Sequence, residues 1–124
     1  MNKKPLAYIV EDNQDTVTIF EGALERAGYE VKVALDGAVA QKQLTEIVPD
    51  LIILDLHMPN VTGDILLKQV RLDERLKNTR VFLATADANM ASHLRDQAEL
   101  VLLKPIGFIQ LKELAERFRP DNRK

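Results

Sequence analysis

The chain has 124 residues, 46% of them hydrophobic and 29% charged, with a formal net charge of -2. That length suits one compact domain with a real core, and the charge balance gives no electrostatic case for wrapping nucleic acid or lying on an anionic membrane. Cysteine is absent, which excludes disulfide scaffolds and thiol chemistry, and no apolar run approaches the roughly 20 residues that span a bilayer.

Residues 1–5 carry positive charge with no adequate apolar segment behind them, so they do not read as a secretion signal, and a cytoplasmic protein is expected. Residues 6–10, Leu-Ala-Tyr-Ile-Val, read as a buried strand that stops at Glu11-Asp12-Asn13. Val17, Phe20, Leu24 and Ala27 then recur at helical spacing over residues 14–27, with Asn13 as the cap and Gly28 as the stop. A second strand is expected over 30–34. A second helix is expected over 37–48, started by Asp36 and broken by Pro49-Asp50. The same alternation gives strands over 51–54, 81–84 and 100–103, and helices over 63–72, 88–97 and 107–118. The helix over 88–97 has few apolar side chains, chiefly Met90 and Leu94, and is expected to dock shallowly. Residues 119–124 read as a frayed polar tail or the stub of a linker, outside a single-domain core over about 5–118.

Apolar strands separated by amphipathic helices imply an α/β fold, a five-stranded parallel sheet with helices on both faces. Its expected architecture is flavodoxin-like, with strand order 2-1-3-4-5 and ligands outside the carboxyl ends of the strands. Right-handed crossovers point those ends the same way. Glu11-Asp12, Asp55, Thr85 and Lys104 all fall there. Three carboxylates in one place repel one another unless a cation neutralises them, and oxygen-only ligation suits magnesium. A carboxylate can act as a nucleophile toward a phosphoryl group, with an ammonium and a hydroxyl to hold its oxygens. No GxxxxGK[ST] loop is present to cradle a nucleotide, so the donor is expected to bring its own activated phosphate.

With these residues in place, the chain resembles the receiver domain of two-component response regulators over nearly its whole length. The resemblance rests on Glu11-Asp12 after the first strand, Asp55 ending the third, Met58-Pro59 with Gly63 downstream, Thr85-Ala86, and Lys104-Pro105. Each motif is weak alone, and five in order at the correct strand ends are specific. The resemblance implies Asp55 as phospho-acceptor, with Lys104 and Thr85 assisting. It implies a magnesium site on Asp12, Asp55, the backbone carbonyl of His57 and Glu11, the last through water. It also implies a cis peptide bond before Pro105, a histidine kinase or histidine phosphotransfer protein as donor, and a downstream protein or output domain as partner. A phosphorylation-dependent homodimer is a further expectation, and direct contact with nucleic acid or membrane is not expected.

Some positions carry weaker or divergent signals. The imidazole of His57 and the carboxylate of Asp87 are candidate modulators at the rim, able to influence how quickly water attacks the phosphoryl group. The family commonly places an aromatic residue three before the lysine, where this chain has Val101; a β-branched side chain cannot make the same large swing, which leaves the switch relay open. His93 reads as a solvated helix residue, and Arg117, Arg119, Arg123 and Lys124 as a solvated basic helix end. Two other functions compete with the switch reading. One is an interaction module that works without phosphorylation, to which only Val101 points. The other is an aspartyl-phosphate hydrolase, which needs a second acid where this chain has His57. A signalling acceptor with slow self-dephosphorylation, not a turnover enzyme, is the expectation. A stand-alone receiver and one cut from a longer regulator both fit.

Overall fold

The computed structural model describes residues 3–122. Five strands alternate with five helices: β1 (Leu6–Val10), α1 (Gln14–Arg26), β2 (Glu30–Ala34), α2 (Gly37–Gln43), β3 (Leu51–Asp55), α3 (Gly63–Leu72), β4 (Arg80–Thr85), α4 (Ala88–Leu94), β5 (Leu100–Leu103) and α5 (Phe108–Arg117). The strands form one parallel sheet in the order β2-β1-β3-β4-β5, the expected doubly wound arrangement.

The two sheet faces sort the apolar residues by strand parity. Ala7, Ile9, Leu51, Ile53, Phe82 and Ala84 pack with Val17, Phe20 and Leu24 of α1 and Leu111 and Ala115 of α5. Tyr8, Val10, Ile52, Leu54, Val81 and Leu83 pack instead with Ala40 of α2 and Leu66, Leu67 and Val70 of α3. Every residue of β3 is buried, because it lies centrally and is covered on both faces. Its terminal carboxylate therefore has no route to bulk water except past the strand end.

Local signals fix where the helices start. The Thr16 amide donates to Asn13 Oδ1 at 2.9 Å, and the Val39 amide donates to Asp36 Oδ1 at 2.9 Å, as expected of N-caps. Gly28 ends α1 with φ +98°, in the left-handed region where a side chain is disfavoured.

Three expectations need correction. The second helix ends at Gln43, not near residue 48. Its last carbonyls are taken elsewhere: the Thr45 hydroxyl donates to Lys42 O at 2.6 Å, and Arg75 Nη2 donates to Leu44 O at 2.7 Å. The helix expected over 88–97 is α-helical only to Leu94 and continues as a 3-10 turn over Arg95–Gln97. The tail expected to fray is folded at its start: Arg119 pairs with Asp121 at 2.8 Å, and Pro120–Asn122 form a 3-10 turn. Arg123 and Lys124 lie outside the described residues.

Candidate functional site

The carboxyl ends of β1, β3, β4 and β5 bring the polar residues together. Glu11 and Asp12 leave β1, Asp55 is the last residue of β3, and Thr85 the last of β4. The register pairs Asp55 with Ala84 and Thr85 with Leu103, so Thr85 stands one step and Lys104 two steps beyond the acid. The Lys104 amide donates to Thr85 O at 2.8 Å and the Leu56 amide to Ala84 O at 3.3 Å, which ties these ends to one another.

Burial separates the three acids. Glu11 and Asp55 are buried, at 1% and 3% exposure, whereas Asp12 is exposed. One carboxylate oxygen from each lies within 4.8 Å of the others. Lys104 Nζ stands among them, 2.8 Å from Glu11 Oε1 and 3.5 Å from Asp55 Oδ2. The shorter pairing is with Glu11, although Asp55 is the partner the chemistry suggests. Burial, and after it the charge of Asp55, push the Glu11 carboxyl above the usual carboxylate range against the opposing pull of Lys104. Burial works against the Lys104 charge, yet the Glu11 hydrogen bond and the two acids outweigh it and hold the ammonium above the usual lysine value.

Backbone groups complete the geometry. The His57 amide donates to Asp55 Oδ1 at 3.0 Å, and the Asn13 amide to Glu11 Oε2 at 3.1 Å. Each fixes the rotamer of a buried acid from the loop that follows it, and nothing in the residue types announces either bond. The loop after β3 includes Asn60 in the left-handed region at φ 72°, which asparagine tolerates better than most residues. The Lys104–Pro105 peptide bond is cis.

The remaining candidates take these positions. The Thr85 hydroxyl is fully buried and accepts the Asp87 amide at 3.0 Å. Asp87 caps α4, accepting the amides of Asn89 and Met90 at 3.0 and 3.1 Å; this capping task is one that its rim position in sequence did not suggest. The side chain of His57 is exposed, and so is His93. Val101 is half-buried on the α3 side of the sheet, where it packs against the buried cluster, as do Met90, Leu94 and Ala98.

The oxygen donor set fits magnesium: three carboxylates, each with an oxygen within 4.8 Å of the others, one of them open to solvent. Of the three acids, Asp12 is exposed to solvent and Asp55 and Glu11 are buried. Among the described residues no helix is long and apolar enough to cross a membrane.

Residues 7–116 match the sequence model of the response regulator receiver domain. The polar-differentiation response regulator DivK of Brucella ovis is 31% identical over 116 residues, covering 91% of this chain and 94% of that protein. The hybrid signal transduction histidine kinase D of Dictyostelium discoideum is 36% identical over 89 residues, 72% of this chain and 6% of that protein. The chain spans about a third or less of the length of the first four curated relatives it matches. The chemotaxis response regulator CheY4 of Vibrio cholerae has the same fold, with a TM-score of 0.84 at 27% identity over 94% of this chain and 99% of that one.

Proposed function

This chain belongs to the response regulator receiver domain family, and we propose that Asp55 is the residue on which it takes the phosphoryl group that throws its switch. The observation that carries this reading is a buried, single-ended carboxylate held by an amide on one oxygen and faced by an ammonium 3.5 Å from the other. A carboxylate placed so is oriented for in-line attack, with a cation ready for the incoming charge.

The donor in this reading is a phosphohistidine on a histidine kinase or a phosphotransfer protein. An Asp55 oxygen forms a bond to phosphorus as the phosphorus–nitrogen bond breaks, and the electron pair stays on the departing imidazole. Lys104 holds an oxygen of the transferred group, and the Thr85 hydroxyl, once released from the Asp87 amide, takes another. The His57 amide keeps the acceptor carboxylate from turning away. Receiver domains hold magnesium in their acidic site, and here Asp12, Asp55 and the His57 carbonyl would hold it, with Glu11 through water. Bound there, magnesium supplies the positive charge that offsets repulsion between the acids and the phosphoryl oxygens.

Movement of Thr85 toward the phosphoryl group would draw on the segment after β4, because Asp87 joins the Thr85 hydroxyl to the start of α4. That would bias the surface of α4, β5 and α5 between two arrangements, a local charge read out as altered partner binding. A downstream protein or output domain is the partner of that surface, and a homodimer formed on phosphorylation is one form the output can take. Slow hydrolysis of the acyl phosphate resets the switch, with the His57 imidazole and the Asp87 carboxylate at its rim. Receiver domains act as switches and do not turn over substrates, and this chain is read the same way.

Asp55→Asn keeps the shape of the side chain and removes the nucleophilic carboxylate. Labelling by acetyl phosphate in the presence of magnesium, followed by intact-protein mass spectrometry, should be abolished; undiminished labelling of the variant would sink the acceptor assignment.

A further inference from the structure

Gly37 is the first residue of α2 and contributes no group to the acidic cluster, yet its backbone lies hard against the loop that follows Asp55. A Cβ built on Gly37 would stand 1.8 Å from the carbonyl oxygen of Val61, 2.7 Å from its carbonyl carbon and 2.9 Å from its Cβ. Non-bonded heavy atoms need roughly 3.5 Å, so any side chain at position 37 requires the helix or the loop to shift by on the order of 1.5 Å. The glycine is not there for its backbone freedom. Among the described residues the one glycine with positive φ is Gly28, and within a helix glycine is a poorer choice than alanine. Space for Val61 is what the position requires.

At its other end the same loop is held in the same way. A Cβ on Gly63 would meet the Asp55 carbonyl oxygen at 2.3 Å and Leu56 Cα at 2.7 Å. Between these two close approaches run His57 to Asn60, with the His57 amide orienting Asp55 and Asn60 in its left-handed conformation.

From this we infer that Gly37 is a positioning residue for phosphoryl acceptance: its missing side chain seats the loop carrying His57, and through it sets the Asp55 carboxylate. The inference rests on Asp55 as acceptor. Misplacement of a reacting group by about 1 Å can cost on the order of 100-fold in rate, and the shift that Gly37→Ala demands is of that size.

The test compares full-length wild type, Gly37→Ala, and Tyr29→Phe, a variant on the far face of the sheet that loses a buried hydrogen bond to Ala115 O. Urea denaturation reports folding, amide NMR signals of residues 57–63 without magnesium report the loop, and acetyl phosphate with magnesium gives the labelling rate. Gly37→Ala should fold, show displaced loop signals and label at least about ten-fold more slowly. Tyr29→Phe should be less stable, with wild-type loop signals and labelling rate. Loop signals at their wild-type positions in Gly37→Ala, or a wild-type labelling rate, would overturn the inference, as would equal slowing in Tyr29→Phe. Should Gly37→Ala fail to fold, Val61→Gly frees the loop where it passes Gly37, removing the Val61 Cβ and keeping its carbonyl: slowed labelling with moved loop signals supports the inference, and wild-type behaviour overturns it. A wild type that takes no label removes Asp55 as acceptor, while the magnesium-free loop signals still decide whether Gly37 seats the loop.

Discussion

Lys104 reaches across the site to two acids at once, and its closer partner is the more deeply buried one, Glu11 at 2.8 Å. Removing the ammonium would leave two buried carboxylates facing each other without a counter-charge, a costlier arrangement than the pair itself is favourable. Lys104→Met keeps the apolar stem and loses the charge. In magnesium-free buffer it should lower stability by about 1–3 kcal/mol, since the pair is partly solvated, read as a fall in the urea midpoint. On the proposed mechanism, labelling by acetyl phosphate should slow by at least about ten-fold, because the charge proposed to meet the incoming phosphoryl oxygens is gone. An unchanged midpoint together with an unchanged rate would show that Lys104 does neither task. The residue types and their strand-end positions made all five polar residues legible: an acid closing a run of four or five apolar residues cannot be there for packing. The bonds that orient them were not legible. The His57 amide on Asp55 and the Asn13 amide on Glu11 come from backbone, which every residue type supplies alike.

The helices differ in how firmly they are held, and the reasons are local. The third face residue of α1, Leu24, is fully buried, and α5 buries Leu111 and Ala115. By contrast α4 buries only Ala91, with Met90 and Leu94 half-covered, and it is seven residues long before it tightens into a 3-10 turn. Little apolar surface therefore opposes local opening. Amides of α4 should exchange with deuterium at least about ten-fold faster than those of α1 and α5, measured by NMR over minutes to hours; equal protection would contradict shallow docking. Sparse apolar residues over 88–97 already announced this. The early end of α2 was hidden, because the groups that capture its last carbonyls include Arg75, far along the chain. Local pattern carries helix existence well and helix ends poorly, since ends are settled by whichever donors the fold brings near. Val101 belongs to this scale too. It borders the same buried cluster as Met90 and Leu94, with an aliphatic side chain where the family commonly has an aromatic one.

Across the whole molecule, the layer formed by α1 and α5 is closed by a bond between distant parts. The Tyr29 hydroxyl, just before β2, donates to Ala115 O near the end of α5 at 2.8 Å, within the buried interior. Phe118 continues that closure, edge-on to Phe82 with ring centroids 5.4 Å apart and with the Arg80 guanidinium 5.3 Å over its face. Tyr29→Phe removes the hydroxyl alone, leaves a buried carbonyl short of that donor, and should cost about 1 kcal/mol in urea denaturation; no loss would mean another donor takes its place. Alternation of apolar strands with amphipathic helices determined the parallel sheet and the edge on which the site forms, while its strand order was expected as the common one for five such units. Those follow from periodicity and from the handedness of crossovers, which act on any chain of this pattern. Tertiary structure alone decided which acid Lys104 holds most closely, where α2 stops, and that Gly37 of one element lies hard against the loop that follows Asp55. These depend on distances between residues remote in sequence, and a distance of that kind exists only once the layers have packed.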